Sequence, residues 1–241
     1  DVSYTHTPYS SCVFLAKIVI FTSQKMHKAL HKVLSNESLS ANTFKLRIER
    51  EDMEFHAGQC VNLGLPKSGI NREYSSYSGE QEPELAFLIR EVEDGDVSTA
   101  LRRLKSGDSI EIDGAYGLFT LPESVPENHS NIFIATGTGI APFHSFVRTY
   151  PELDYLILHG TRLAEENYES AHYTTERYVQ CVSQENGGCF QGRVSDYLRQ
   201  NPQGIDKHYY LCGNRNMVNE VYDILREQEV SGSNITTEVF F

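Results

Sequence analysis

The chain of 241 residues is long enough for two domains of ordinary size, and its composition, 39% hydrophobic and 22% charged with 14 Tyr and 12 Phe, is that of a folded globular protein rather than a disordered one. A formal net charge of −12 opposes wrapping nucleic acid or lying on anionic lipid, so any anionic ligand must be held by local positive features. Five scattered cysteines (Cys12, Cys60, Cys181, Cys189, Cys212) offer no C-x-x-C pair and no spacing for an iron-sulfur cluster or structural zinc, and their odd number fits a reducing, cytoplasmic setting.

The longest apolar run, Cys12 to Phe21, is broken by Lys17 and is too short to span a bilayer. No small-residue cleavage pattern follows it, and Met26 stands where a soluble reading frame could begin, so residues 1–25 are read as an extension outside the fold. From Thr43 to Arg50 strict alternation places Phe44, Leu46 and Ile48 on one face of a half-buried antiparallel strand. Short strands follow at Val61–Leu65, Leu85–Val92 and Ser109–Ile112, between Gly, Pro and Asp turns, with one helix expected over Ser98–Lys105. This half, residues 26–122, reads as a small β-barrel.

Beyond Pro122 the pattern changes. Continuous apolar runs at Ile132–Ala135, Tyr155–Leu158, Tyr178–Val182 and Tyr209–Leu211 alternate with helical or loop segments, which predicts a parallel sheet covered on both faces. Met217, Val218, Val221, Ile224 and Leu225 form an apolar stripe on a helix predicted over Asn216–Gln228. The boundary falls at Leu121–Ser130, rich in Pro, Glu and Asn, so the second domain is 130–241. The fold class is thus a β-barrel followed by α/β.

The sharpest local signal is Thr136-Gly137-Thr138-Gly139-Ile140-Ala141-Pro142-Phe143, directly after a strand. A glycine-rich strand-to-helix turn lets backbone amides approach a pyrophosphate, and Pro142 suits the first helical turn; a tight turn without a ligand would look similar. Pro142 stands where the G-x-G-x-x-G fingerprint needs its third glycine, which disfavours an ordinary Rossmann dehydrogenase. In the first half, Arg72-Glu73-Tyr74-Ser75 reads as a barrel strand, and Asp94-Gly95-Asp96-Val97-Ser98 presents amides and a hydroxyl ahead of the lone helix. Taken singly these are an exposed strand and an N-cap at Ser98; together they make a second anion site.

The ordered set Arg72-x-Tyr74-Ser75, Gly95-x-x-Ser98-x-x-Leu101-x-x-Leu104-Lys105-x-Gly107-Asp108, Gly114-x-x-Gly117-x-Phe119, Gly137-Thr138-Gly139-Ile140-Ala141-Pro142 and Leu211-Cys212-Gly213-Asn214-x-x-Met217 resembles the ferredoxin–NADP reductase superfamily, most of all the bacterial-type ferredoxin (flavodoxin)–NADP reductases. The resemblance runs from about Lys28 to the terminus. It implies an antiparallel FAD-binding barrel followed by a parallel-sheet NAD(P)-binding domain. Tyr74 would pack on the flavin and Ser75 bond near its N5, with Arg72 and the amides of Val97, Ser98 and Thr99 on the FAD pyrophosphate. Gly137, Thr138, Gly139 and Pro142 would hold the NADP pyrophosphate, and Cys212 would lie beside the nicotinamide, with Gly213 and Met217 of the same motif also at the cofactor. Hydride would then pass between nicotinamide C4 and flavin N5, the protein supplying orientation.

By the same resemblance Arg162, Ser183 and Arg193 match positions that hold a 2′-phosphate, although Gln184 replaces the arginine usual after that serine, which weakens the preference for NADPH over NADH. A terminal aromatic, Phe241 or Phe240, would stack on the flavin or else pack in the core, and Glu238 resembles a carboxylate near the flavin edge that assists proton delivery. His27 and His31 have H-x-x-x-H spacing, but Lys28 stands where a zinc hydrolase carries its base, so a solvated terminal segment is the better reading. His56, His144 and His159 read as packing or surface residues, and no metal centre is expected. The expected protein is a monomeric reductase moving electrons between NADPH and ferredoxin or flavodoxin. A reductase component of an oxygenase or cytochrome system, and a nucleotide sensor that has lost turnover, are its rivals.

Overall fold

The computed structural model describes residues 27–122 and 130–240; the expected extension 1–25, the apolar run Cys12–Phe21, Phe241 and most of the Leu121–Ser130 boundary lie outside them. In the first half, strands β1 (His27–Ser38), β2 (Thr43–Glu49), β3 (Cys60–Gly64), β4 (Asn71–Ser75), β5 (Glu84–Arg90) and β6 (Ser109–Tyr116) form one antiparallel sheet in the order β4-β3-β6-β1-β2-β5. The sheet curls until its edge strands β4 and β5 approach one another, leaving the barrel nearly closed. Phe44, Leu46 and Ile48 point into its core, as their alternation requires, and meet Val33, Leu63, Phe87, Ile110 and Ile112.

Strand β1 corrects the reading of His27–His31 as a solvated segment. Its first half pairs with β6 and its second half with β2, with the register shifting between Val33 and Ser35, so it is the central stave of the barrel. His31 is buried, and its Nδ1 lies 2.8 Å from the Glu49 carbonyl oxygen. Alternation is hidden in this stretch because a histidine takes an inward position while Leu30 faces solvent.

Helix α1 (Asp96–Arg102) begins two residues before the expected start, with Gly95 rather than Ser98 at its N-cap. Its far end is tied to the barrel by Asn36 of β1, whose Nδ2 donates to the carbonyls of Leu101 (3.0 Å), Arg102 (3.1 Å) and Leu104 (3.1 Å). Three helix-end carbonyls thus share one side-chain donor in place of water. Asn36→Leu strands them against an apolar group, and a loss of about 2 kcal/mol is expected. Thermal unfolding should register this as a midpoint lowered by roughly 4–8 °C.

The second half holds β7 (Asn131–Thr136), α2 (Ala141–Thr149), β8 (Tyr155–Thr161), β9 (Tyr178–Val182), the two-residue β10 (Phe190–Gln191), α3 (Val194–Gln200), β11 (His208–Asn214), α4 (Arg215–Glu227) and β12 (Ile235–Phe240). All strand pairs are parallel, in the order β10-β9-β8-β7-β11-β12. The chain leaves β7 toward β8 on one side and β11 lies on the other, so the strand order reverses at β7. The crevice beyond the carboxyl ends of β7 and β11 is where parallel α/β sheets take ligands. The α4 stripe of Met217, Val218, Val221, Ile224 and Leu225 is wholly buried.

Ala57, Tyr77, Ala86, Leu88 and Phe119 from the barrel side pack into one core with Phe133, Phe143, Phe146 and Tyr210 from the other. The Phe119 ring lies 5.9 Å from Phe143, 6.2 Å from Phe146 and 5.8 Å edge-on from Tyr210. Apolar area shared in this way fixes how the two sheets face each other. Among the described residues no helix is long and apolar enough to cross a membrane.

Candidate active site

One cavity of about 1060 Å³ runs along the junction, lined by β4 and the start of α1 on the barrel side and by the ends of β7, β8, β9, β11 and β12 on the other. It is larger than a pocket for a single small ligand, which is typically about 300–1000 Å³.

On the barrel side Arg72, Tyr74 and Ser75 of β4 and Val97 and Ser98 of α1 line the cavity. Arg72 is exposed and its Nη1 donates to the Asn71 carbonyl at 2.8 Å. Tyr74 is half-buried, and burial, opposed by the Arg72 charge, pushes its phenol up to about 12, so it stays a neutral flat ring with a donor hydroxyl. Ser98 Oγ accepts the Val92 amide at 3.0 Å, which shapes the Val92–Gly95 turn and leaves the helix-end amides unclaimed by it. Thr99 does not line the cavity; its hydroxyl sits 3.5 Å from the Val92 carbonyl.

On the nucleotide side the glycines of the strand-to-helix turn divide into two kinds. Gly137, at φ +53, lines the cavity with Thr138, and a Cβ there would meet nothing within 4 Å: the backbone is bare toward open space. Gly139 lies behind the wall, where a Cβ would stand 2.4 Å from the Cys212 carbonyl oxygen. Pro142 is buried in the first turn of α2, also off the cavity. Gly213, at φ +135, lines the cavity with Met217, and its own Cβ would stand 2.4 Å from Thr136 Oγ1. Gly139 and Gly213 therefore let the ends of β7 and β11 approach closely. His159, read from sequence as a packing or surface residue, is fully buried, with Nε2 2.9 Å from the Gly137 carbonyl and Nδ1 2.8 Å from the Tyr178 hydroxyl. Burial brings its pKa down to about 4, so a neutral ring anchors the turn from below.

Arg162, Ser183 and Arg193 converge on the far end of the cavity together with Gln184 and Glu166. Both arginines are exposed. Ser183 Oγ already donates to the Thr161 carbonyl at 3.0 Å, and Glu166 Oε2 accepts the amides of Arg162 and Leu163 at 2.8 and 3.1 Å.

At the opposite end Glu238 lines the cavity, set opposite Cys212 by the β11–β12 register. Cys212 itself is fully buried and does not line the cavity; its Sγ lies 3.9 Å from Glu238 Oε2. Burial and the Glu238 charge hold the thiol well above its ordinary pKa. Burial and Glu73 push the Glu238 carboxyl up to about 7, against the Cys212 hydrogen bond. Phe240 is half-buried, lines the cavity and also packs on the shared core. Glu73 and Cys60 join this end unannounced by the sequence, Cys60 because only the β3–β4 register brings it opposite Ser75.

Residues 30–121 match the model of the oxidoreductase FAD-binding domain and residues 133–223 that of the oxidoreductase NAD-binding domain. The toluate 1,2-dioxygenase electron transfer component of Pseudomonas putida is 30% identical, over 96% of this chain and 73% of its own length. The chain belongs to the ferredoxin–NADP reductase superfamily. Within that superfamily the flavodoxin/ferredoxin–NADP reductase of Buchnera aphidicola is 27% identical over 84% of this chain and 92% of its own. The ferredoxin NADP+ reductase of Neisseria gonorrhoeae, solved with bound FAD and NADP, shares the superfamily fold at a TM-score of 0.81 and 24% identity, over 89% of this chain and 99% of that one.

Proposed function

We propose that the chain is an FAD-dependent reductase moving electrons between NADPH and a one-electron carrier of the ferredoxin or flavodoxin kind. The observation that carries this reading is that one cavity joins an aromatic and a hydroxyl on the barrel, Tyr74 and Ser75, to the Cys212–Glu238 end of the parallel sheet, with a separate loop-to-helix turn lining it in each half. Family membership supports it from outside the geometry.

The residues fit two dinucleotides. Gly137 offers bare backbone at a strand-order reversal, and Arg72 offers an exposed guanidinium beside the start of α1. FAD, when bound, supplies the exchange between two-electron nicotinamide chemistry and one-electron carriers. The chain's own work is positional. Tyr74 provides a flat, half-buried face, Arg72 and the turn before α1 balance one pyrophosphate, and Gly137–Thr138 receive the other. Glu238, with its carboxyl near neutrality, holds a proton at the point where the two halves meet. The unit 26–122 and the unit 130–241 are proposed to serve the two cofactors separately.

Arg162 and Arg193 are proposed to favour the 2′-phosphate. Alanine at either position is expected to raise KM for NADPH about tenfold, the worth of one exposed charge-assisted contact, with NADH kinetics little changed. Equal effects on both nucleotides would remove these arginines from phosphate recognition.

Purified protein tests the function as a whole. A yellow, FAD-loaded sample that bleaches with NADPH under nitrogen and reduces cytochrome c only through added ferredoxin or flavodoxin is the expected result. Colourless protein that still binds NADPH would instead make it a nucleotide sensor. A second reading, the reductase component of an oxygenase, is favoured by the match to the toluate dioxygenase component over nearly the whole chain. Bleaching by NADPH with no turnover through either carrier would favour it.

A further inference from the structure

Away from the cavity, His144 on α2 meets Glu169 and His172 on the loop between β8 and β9, and one ligand atom from each lies within 4.8 Å of the others. His144 Nδ1 lies 2.6 Å from the Tyr77 carbonyl oxygen. A carbonyl only accepts, so Nδ1 carries the proton, and the Nε2 lone pair is left pointing at His172 Nδ1, 2.9 Å away. The ring is held in that orientation by stacking on Tyr77, with centroids 3.8 Å apart and planes 10° from parallel, and by the edge of Tyr173. His144 is nearly wholly buried, so its ring is held by its neighbours rather than by solvent. Lys45 Nζ sits 2.5 Å from one oxygen of Glu169, leaving the other for a ligand, and Lys45 is itself offset by Glu37 at 3.4 Å.

We infer that His144, Glu169 and His172 form a binding site for a divalent transition-metal ion of the zinc type, placed where the nucleotide half meets the barrel. Two imidazole nitrogens and one carboxylate oxygen are a borderline donor set that suits zinc over magnesium or calcium, and three protein ligands leave a fourth position for water. Metal-bound histidines characteristically donate their second ring nitrogen to a carbonyl, and ligating carboxylates are themselves hydrogen-bonded; Tyr77 and Lys45 fill both roles. On binding, Nε2 of His144 and Nδ1 of His172 both turn to the ion, and the proton between them moves to the outer nitrogen of His172, which is exposed. Tyr77 and Lys45 belong to the barrel, and the three ligands belong to the other half. An ion there braces the junction rather than entering the redox chemistry.

The test is calorimetric titration of zinc sulfate into chelator-treated, FAD-loaded full-length protein, paired with the absorption spectrum of the cobalt(II) form. One equivalent of zinc per chain is expected, with cobalt ligand-field bands and no thiolate-to-metal charge transfer, which separates this site from the exposed Cys189. His172→Ala and Glu169→Gln are each expected to weaken zinc by at least about tenfold, with FAD content and circular dichroism unchanged because His172 lies at the surface. Absence of stoichiometric binding, a thiolate band, or unaltered affinity in both variants would overturn the assignment. Should one variant fold poorly, the other still decides it.

Discussion

Gly139→Ala is expected to lower the stability of the protein by about 3 kcal/mol, the upper range for forcing an extra methyl into a packed site, and its melting midpoint by roughly 6–12 °C. The added Cβ would stand 2.4 Å from the Cys212 oxygen, 2.8 Å from its carbonyl carbon and 2.8 Å from Gly213 Cα, all backbone atoms with no rotamer to give way. Relief requires β7 and β11 to separate at their carboxyl ends, where Gly137 and Gly213 line the cavity. Loss of NADPH binding should therefore accompany the loss of stability, while the FAD site on the barrel keeps its occupancy. Gly137→Ala is the matching control for stability alone, since its Cβ meets no protein atom within 4 Å and the folding cost there is the positive φ. Melting of both variants, with NADPH calorimetry on Gly139→Ala, checks the contrast; a Gly139→Ala protein that melts and binds like the parent would mean the turn does not couple the two strands.

Glu238→Gln is expected to slow turnover about a hundredfold near neutral pH, the low end of what a positioned proton donor contributes. The carboxyl titrates at about 7 because burial and the charge of Glu73 both disfavour its ionised form. A donor with that value is loaded below pH 7 and emptied above it. The parent's rate should fall as pH rises through 7, whereas the amide variant's profile should be flat over the same interval. Stability carries the same sign. A carboxyl raised on folding favours the folded state below the ordinary carboxylate range, and that contribution disappears as pH rises through 7. Parallel pH–rate and pH–melting profiles of parent and variant test both statements, and a parent profile without a limb near 7 would remove Glu238 from proton handling.

What the sequence made legible follows from how local each signal is. The alternation of Phe44, Leu46 and Ile48, the α4 stripe and the glycine-rich turn are written within a dozen residues; periodicity placed the first two, and the glycine motif after an apolar run placed the third. Strand β1 was not legible, because its inward positions include a histidine and its identity rests on pairing with two partners distant in sequence. The terminal β12 is likewise defined by its register on β11, and with it the meeting of Glu238 and Cys212. Family likeness led to Cys212 and Gly139 by their positions in a motif, but burial separates residues that face the cavity from those that shape it. His144, Glu169 and His172 are spread over 29 positions and come together only because the β8–β9 loop folds back over α2.

The aromatic cluster around Phe119, Phe143, Phe146 and Tyr210 draws its rings from both halves of the chain: Phe119 from the segment after β6, Phe143 and Phe146 from α2, and Tyr210 from β11. Neither half can melt without stripping the other of its covering, so the two behave as a single cooperative unit although each has its own architecture. Cleaved apart, each would carry a sticky, ring-rich face, and its natural fate would be self-association instead of independent folding.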